Sequence, residues 1–322
     1  MFYFKFIVVL IACAVSLGVA AADDSFPSRP IRLISPFTPG GGNDFVSRAV
    51  ALAMTKHIGQ PVVVDNRPGA NTIVGMEIVA RAAPDGYTLI MTSSTQAINA
   101  TLYPKLPYDS IKSFAPVTIV GSSPLIVAVP LASAIKNVTD LIAAARAKPG
   151  ELTYPSAGTG NATHLGGELF ASMANVKLTH VPYKGSGPGL TDLSAGRLAV
   201  AFSTALSVVP FVNGGRLRAV AVTSAQRSAF MPELPTVAES GLPGYEAGSW
   251  YGVVAPASTP RPVIMRLHGE ILKVLALPEV RDRLVSQGID AVGNTPEQFA
   301  AYMHSEIVKW EKIIKATGVT AE

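Results

Sequence analysis

Between Arg29 and Pro256 the chain alternates short, β-branched apolar runs with longer stretches in which apolar residues recur at helical spacing. The runs predict strands over Ile31–Phe37, Pro61–Asn66, Thr88–Ser93, Phe114–Val120 and Leu125–Pro130. Five more follow, over Leu152–Pro155, Lys177–Tyr183, Leu198–Ser203, Leu217–Thr223 and Tyr251–Pro256. Most lack strict alternation of apolar and polar positions, as strands covered on both faces should. Helical spacing fills most of the gaps, over Asn43–Ile58, Thr72–Ala83, Thr139–Lys148, Asn161–Met173 and Gly189–Ala195. The C-terminal part is helical, over Arg261–Leu275, Glu279–Ser286 and Pro296–Ala316. The last of these opens on Thr295-Pro296-Glu297-Gln298, an N-cap followed by proline at the first helical position and a glutamine three after the cap. Alternation of this kind defines a doubly wound α/β architecture.

Ten strands are many for one such sheet, so the pattern predicts two lobes. Ser122-Ser123-Pro124 breaks an otherwise continuous extended run, and Gly241 to Gly248 is rich in glycine and proline. Crossing at those two points gives lobe one as 23–122 plus 248–322 and lobe two as the insert 123–247. A chain that crosses twice leaves a cleft suited to hinge closure on a ligand.

The N-terminus reads as a leader and not as part of the fold. Lys5 is the only charge before Asp23, and Phe6 to Ala22 is apolar and small, ending Ala20-Ala21-Ala22. Cleavage is expected between Ala22 and Asp23, with residues 1–22 as a signal peptide and the product in the periplasm. Leu10-Ile11-Ala12-Cys13 also fits a lipoprotein box, but the apolar run continues past Cys13, so soluble export is the expectation over lipid anchoring. Cys13 is the only cysteine. A processed chain would then have no disulfides, no thiolate catalysis and no cysteine metal site. Removing Lys5 lowers the formal net charge of +4 by one, and basic residues form no cluster, which argues against nucleic acid as a partner. With 15% charged and 48% hydrophobic residues the chain is a well-buried globule, expected as a monomer.

The chemistry collects in two passages without a basic residue between a strand and a helix. Pro39-Gly40-Gly41-Gly42-Asn43-Asp44 follows the first strand, and Ser156-Ala157-Gly158-Thr159-Gly160-Asn161 follows the sixth. Bare glycine backbone leading into a helix N-terminus is a site for an anion. Nucleotides are excluded: no Gly-Lys-Ser/Thr follows either loop, and the third glycine of a dinucleotide motif would fall at Phe45 or Thr163. A nucleophile turn of the Gly-x-Ser-x-Gly kind is absent, and the five histidines show no metal spacing. No catalytic residues, metal or cofactor are expected. Thr92 to Gln96 and Phe202-Ser203-Thr204 add hydroxyls after strands of either lobe, and Lys184 is the basic residue expected at the rim. The charge of an anion would therefore be met by backbone N–H groups, hydroxyls and helix ends.

These passages, with Asp65-Asn66-Arg67-Pro68-Gly69-Ala70, Ala83-Pro84-Asp85-Gly86-Tyr87, His180-Val181-Pro182-Tyr183-Lys184-Gly185 and Trp250-Tyr251-Gly252, resemble the Bug family in its order. That family comprises the periplasmic solute receptors of tripartite tricarboxylate transporters. The resemblance implies a two-lobed periplasmic binding protein of type II, a Venus flytrap without catalysis. It implies ligand contacts at Gly41, Gly42 and Asn43 with Asp44 bracing them, at Ser94 and Thr95, and at Ser156, Gly158 and Asn161 with His164 beside them. At Ser203 many relatives carry an acidic residue that meets an ammonium in amino-acid binders. The serine here turns the expectation from an amino acid to a di- or tricarboxylate, or a monocarboxylate with a neutral tail. The implied partners are the membrane subunits of such a transporter. A sensor kinase docking the closed receptor is the alternative, and an exported hydrolase a distant one.

Overall fold

The structure is a computed structural model that describes residues 26–321 other than 184 and 229. The leader, Cys13 and Lys184 lie outside the described residues. Its elements are β1 (Ile31–Ser35), α1 (Gly42–Ile58), β2 (Val62–Asn66), α2 (Ile73–Ala80), β3 (Thr88–Ser93), α3 (Ser94–Leu102) and β4 (Phe114–Pro130). Then come α4 (Val138–Ala147), β5 (Thr153–Ser156), α5 (Ala162–Ala174), β6 (Thr179–Pro182), α6 (Ser186–Ser194), β7 (Ala201–Thr204), α7 (Ala205–Asn213) and β8 (Leu217–Val222). The chain finishes with β9 (Gly248–Pro256), α8 (Arg261–Ala276), α9 (Pro278–Val285), β10 (Asp290–Ala291) and α10 (Pro296–Thr317).

One sheet has the order β2-β1-β3-β9-β4-β10, parallel among the first three strands and antiparallel from β9 onward. Successive side chains of its strands enter opposite cores. Ile31, Leu33, Leu89 and Met91 pack with α1, α8 and α9, while Ile34 and Ile90 pack with α3 and α10 around Trp250, Phe299 and Trp310. Burial on both faces is why the sequence shows no polar alternation. In the second lobe Leu125, Val127 and Val129 of β4 face α4 and α5, and Ile126 and Ala128 face α6 and α7.

The strand β4 belongs to both lobes. Phe114 to Pro124 pair with β9, and Leu125 to Pro130 pair with β7 and β8. The sequence predicts two strands with a break at Ser122-Ser123-Pro124; the structure instead runs one strand of 17 residues through that point. Pro124 sits opposite Gly248, the first residue of β9, where one ladder ends and the next begins, so its missing N–H costs little pairing. Thr223 fastens the junction: its Oγ1 accepts the Leu125 N–H at 2.7 Å and donates to the Ala247 carbonyl at 2.6 Å. Strands β5 and β6 form a separate parallel pair. It leans on β7 through the Thr153 carbonyl, which accepts the N–H groups of Ala199 and Val200. Among the described residues no helix is long and apolar enough to cross a membrane.

Candidate functional site

A cavity of about 510 Å³ opens between the lobes, and its wall is built largely from helix starts. From lobe one come Gly41, Gly42 and Asn43 at α1, Asn71 and Thr72 at α2, and Ser93, Ser94 and Thr95 at α3. From lobe two come Asn161, Ala162 and Thr163 at α5, Gly185 and Ser186 at α6, and Thr204 at α7. Ser249 and Tyr251 of β9 complete the contact side. Each of the six helices follows a strand of its own lobe in chain order, so the cavity lies at the carboxyl ends of the strands, the binding position of open α/β sheets. None of the described lining residues carries a charge. At α1, α2, α6 and α7 no side chain caps the first turn, which leaves N–H groups unclaimed at the positive ends of four helix dipoles. An anion is the ligand such a wall favours.

The first glycine loop is held from behind. Asp44 is buried, accepts the Gly40 N–H at 3.0 Å and the Asn66 Nδ2 at 2.8 Å, and receives Arg48 Nε on both oxygens at 3.0 Å. Burial pushes its carboxyl up, but Arg48, the Gly40 N–H and Asn66 together hold it below the usual carboxylate range. The Asn43 side chain turns into the sheet, accepting from Ser35 Oγ at 2.9 Å and donating to the Met91 carbonyl at 2.8 Å. Both ends of its amide are therefore engaged within lobe one. A Cβ at Gly42 would stand 2.5 Å from the Tyr251 hydroxyl, so only glycine allows this approach. Burial raises Tyr251 to about 12, and the phenol stays neutral as a potential hydrogen-bond donor to an anion.

The second loop is held in the same manner. Ser156 Oγ and Gly158 exchange bonds at 3.1 Å, Asn161 Oδ1 caps α5 through Thr163 N at 3.0 Å, and Thr163 Oγ1 accepts the Ala157 N–H at 2.9 Å. His164 is buried, and its Nδ1 accepts the Gly160 N–H at 3.1 Å. Of the residues expected from sequence, Gly41, Gly42, Asn43, Ser94, Thr95 and Asn161 line the cavity. Asp44, Ser156, Gly158 and His164 support the loops without lining it. Ser203 faces a small adjoining void with Ser156, Thr163 and Ser186, and its Oγ has no partner among the described residues.

A strained segment went unread in the sequence. Ala70, Asn71 and Thr72 stand in succession in the left-handed region, at φ of 44°, 49° and 77°. Such residues cost about 1–3 kcal/mol each and persist only where their surroundings enforce them. The enforcement comes from Asn99, fully buried, whose amide donates to the Asn71 carbonyl at 2.7 Å and accepts from Asn71 Nδ2 at 2.9 Å. The strain turns Asn71 and Thr72 into the cavity wall. Tyr251 and Thr163 were also missed as wall residues, although both stand within passages the sequence had marked.

Two lobes joined by shared strands, with a charge-free cleft walled by helix starts, define a solute-binding receptor. Comparison with known proteins agrees. The model of the tripartite tricarboxylate transporter family receptor matches residues 46–319, and the chain belongs to that family. It is 43% identical over 292 residues to the UPF0065 protein in the tcbD-tcbE intergenic region of Pseudomonas sp. strain P51, covering 90% of this chain and 87% of that protein. Among solved structures it is similar to R. palustris Rpa4515 with adipate, at TM-score 0.82 and 35% identity over 92% of this chain and 99% of that one. It is also similar to MatC from Rhodopseudomonas palustris with bound malate, at TM-score 0.77 and 30% identity over 90% of this chain and all of that one. Members of the family are periplasmic receptors that work with tripartite transporters, and the chain is a receptor and not an enzyme.

Proposed function

We propose that the protein is exported by its leader, closes on a small organic dicarboxylate, and delivers it to the membrane subunits of a tripartite tricarboxylate transporter. The observation that carries this reading is the cavity wall, with uncapped helix starts from both lobes and no charged side chain among its described residues. Two separated sets of N–H donors suit a ligand with a carboxylate at each end. The similar structures with adipate and malate support that chemistry. The lobes are 23–122 plus 248–322 and 123–247, with the hinge where β4 and β9 pass between them. The ligand contacts are Gly41, Gly42, Asn43, Ser94, Thr95 and Asn161, with Tyr251, Thr163 and Thr204 added.

Thermal-shift screening and calorimetry with adipate, malate and a tricarboxylate test the reading. A ligand at a hundred times its Kd adds about 2.7 kcal/mol to stability, enough to raise the melting temperature by several degrees. Gly42→Val pushes two methyl groups toward the Tyr251 hydroxyl and should abolish that rise while the unliganded protein still melts cooperatively. No shift with any carboxylate, or an undiminished shift in Gly42→Val, would sink the proposal. Uptake measured in a deletion strain then tests delivery, and uptake left intact with induction lost would place the receptor with a sensor kinase.

A further inference from the structure

Behind the second glycine loop two imidazoles lie face to face. The rings of His164, in the first turn of α5, and His180, on β6, stack with centroids 3.7 Å apart and planes 13° apart. Each reaches the loop. His164 Nδ1 accepts the Gly160 N–H at 3.1 Å. His180 Nε2 lies 2.6 Å from Ser156 Oγ, the hydroxyl that also accepts the Gly158 N–H at 3.1 Å. Gly158 and Gly160 both need support, for their φ angles are +138° and +72°.

The groups facing the pair are few. Glu168, one turn along α5, sets Oε1 3.7 Å from His164 Nε2. Tyr154 on β5 donates its hydroxyl to that same Oε1 at 2.6 Å and holds its ring 5.2 Å from His180. Tyr245 packs beyond it and donates to the Gly166 carbonyl at 2.9 Å. The hydrogen bonds fix the chemistry. Only a lone pair on Nδ1 can receive the Gly160 N–H, so His164 is the neutral tautomer with its proton on Nε2, facing Glu168. A proton on Nδ1 would set two donors against each other 3.1 Å apart. Burial, and after it the charge that His164 would carry once protonated, lowers His180 from 6.5 to about 4, so its ring stays uncharged near neutral pH.

We propose that His164 and His180 are positioning residues: a stacked neutral pair that holds Gly158 and Gly160 in place for the ligand, and that lets the loop go when it is protonated. The proposal rests on the reading of this loop as a carboxylate jaw. It also predicts a sign. Imidazoles that met the ligand as counter-charges would tighten the binding of an anion on acidification, whereas a positioning pair weakens it.

Two measurements test this. In the ligand-free protein, long-range proton–nitrogen correlation spectra report the His164 tautomer. The Nε2–H form near pH 7 is expected, and an Nδ1–H or doubly protonated ring overturns the proposal whether or not any carboxylate binds. Calorimetry with adipate as probe, from about pH 7 to about pH 4.5, then compares wild type with His164→Leu and His164→Gln. Leucine cannot accept the Gly160 N–H and should cost about tenfold in affinity, the worth of one hydrogen bond. Glutamine carries an acceptor oxygen that does not titrate, so it should restore most of that loss and flatten the pH profile. The ratio to wild type cancels the ionisation of adipate itself. Unchanged affinity in the leucine variant, or an unflattened profile in the glutamine variant, overturns the proposal. If adipate binds at no pH, the jaw reading is what fails, and the tautomer measurement still decides the part played by the pair.

Discussion

Asp44, buried, and His180, half-buried, show how single groups hold a site they do not touch. Asp44 answers three donors at once, from Gly40, Arg48 and Asn66. Asp44→Asn replaces one acceptor oxygen with an NH₂ that must face a donor, leaving a buried mismatch. The expected outcome is a stability loss of about 1–3 kcal/mol by denaturant titration, with weaker carboxylate binding by calorimetry. A variant that loses binding with full stability would instead mark Asp44 as a ligand contact. The two groups also answer to pH in separate windows. Both have folded values below their ordinary ones, so each adds stability that is complete above the unfolded value and is lost as pH falls through the folded one. For His180 that window runs from 6.5 down to about 4; for Asp44 it lies below 3.8. Melting temperatures measured across the upper window should fall in wild type and fall less in His180→Gln.

At the level of elements, much of the fold could be read from the chain because both lobes bury their strands on two faces. The span Thr88–Ser93 is as predicted, and most of the other predicted strands and helices lie within a few residues of the observed ones. The Thr295–Gln298 start signal forms its reciprocal capping box, with bonds of 2.9 and 3.2 Å. The misses have separate local causes. The α3 helix begins directly at the end of β3 with Ser-Thr-Gln and no glycine or proline to announce it, so its first residues read as a loop of hydroxyls. The α7 helix holds Pro210 and several β-branched residues, whose local preference is against a helix. The two residues of β10 are too few to show any period. The site was legible where glycine marks a close approach, and illegible where a buried partner distant in sequence imposes the conformation, as Asn99 does on Asn71 and Thr72. Asn99→Leu leaves the Asn71 carbonyl and amide unpaired beside a strained backbone. It should cost about 1–3 kcal/mol in chemical denaturation and weaken ligand binding, because the released segment is cavity wall. Full affinity in a destabilised Asn99→Leu protein would show that the segment only fills space.

For the whole molecule, the two lobes meet at more than the hinge. Leu165 of α5 packs in the lobe-one core with Trp250, Phe299 and Ile98, and Gly160 of the second loop abuts Leu102 at the end of α3. A Cβ at Gly160 would stand 2.3 Å from Leu102 Cδ2, so the lobes approach this closely beside the cavity only because the loop has no side chain there. The contact gives a test of closure that is independent of any ligand-contacting group. Gly160→Ala should weaken carboxylate binding about tenfold, partly through the clash and partly because alanine resists a φ of +72°. Leu102→Ala removes the clashing methyl groups, and combining the two changes should return the clash part of the loss while the backbone part stays. The coupling, read as a double-mutant cycle on calorimetric affinities, should therefore be favourable and of about 0.5–3 kcal/mol. Small-angle scattering gives the matching geometric readout: the ligand-bound radius of gyration should be larger in Gly160→Ala than in wild type and return toward it in the double variant. Strictly additive losses would mean that the lobes do not press together at this point when the ligand is held.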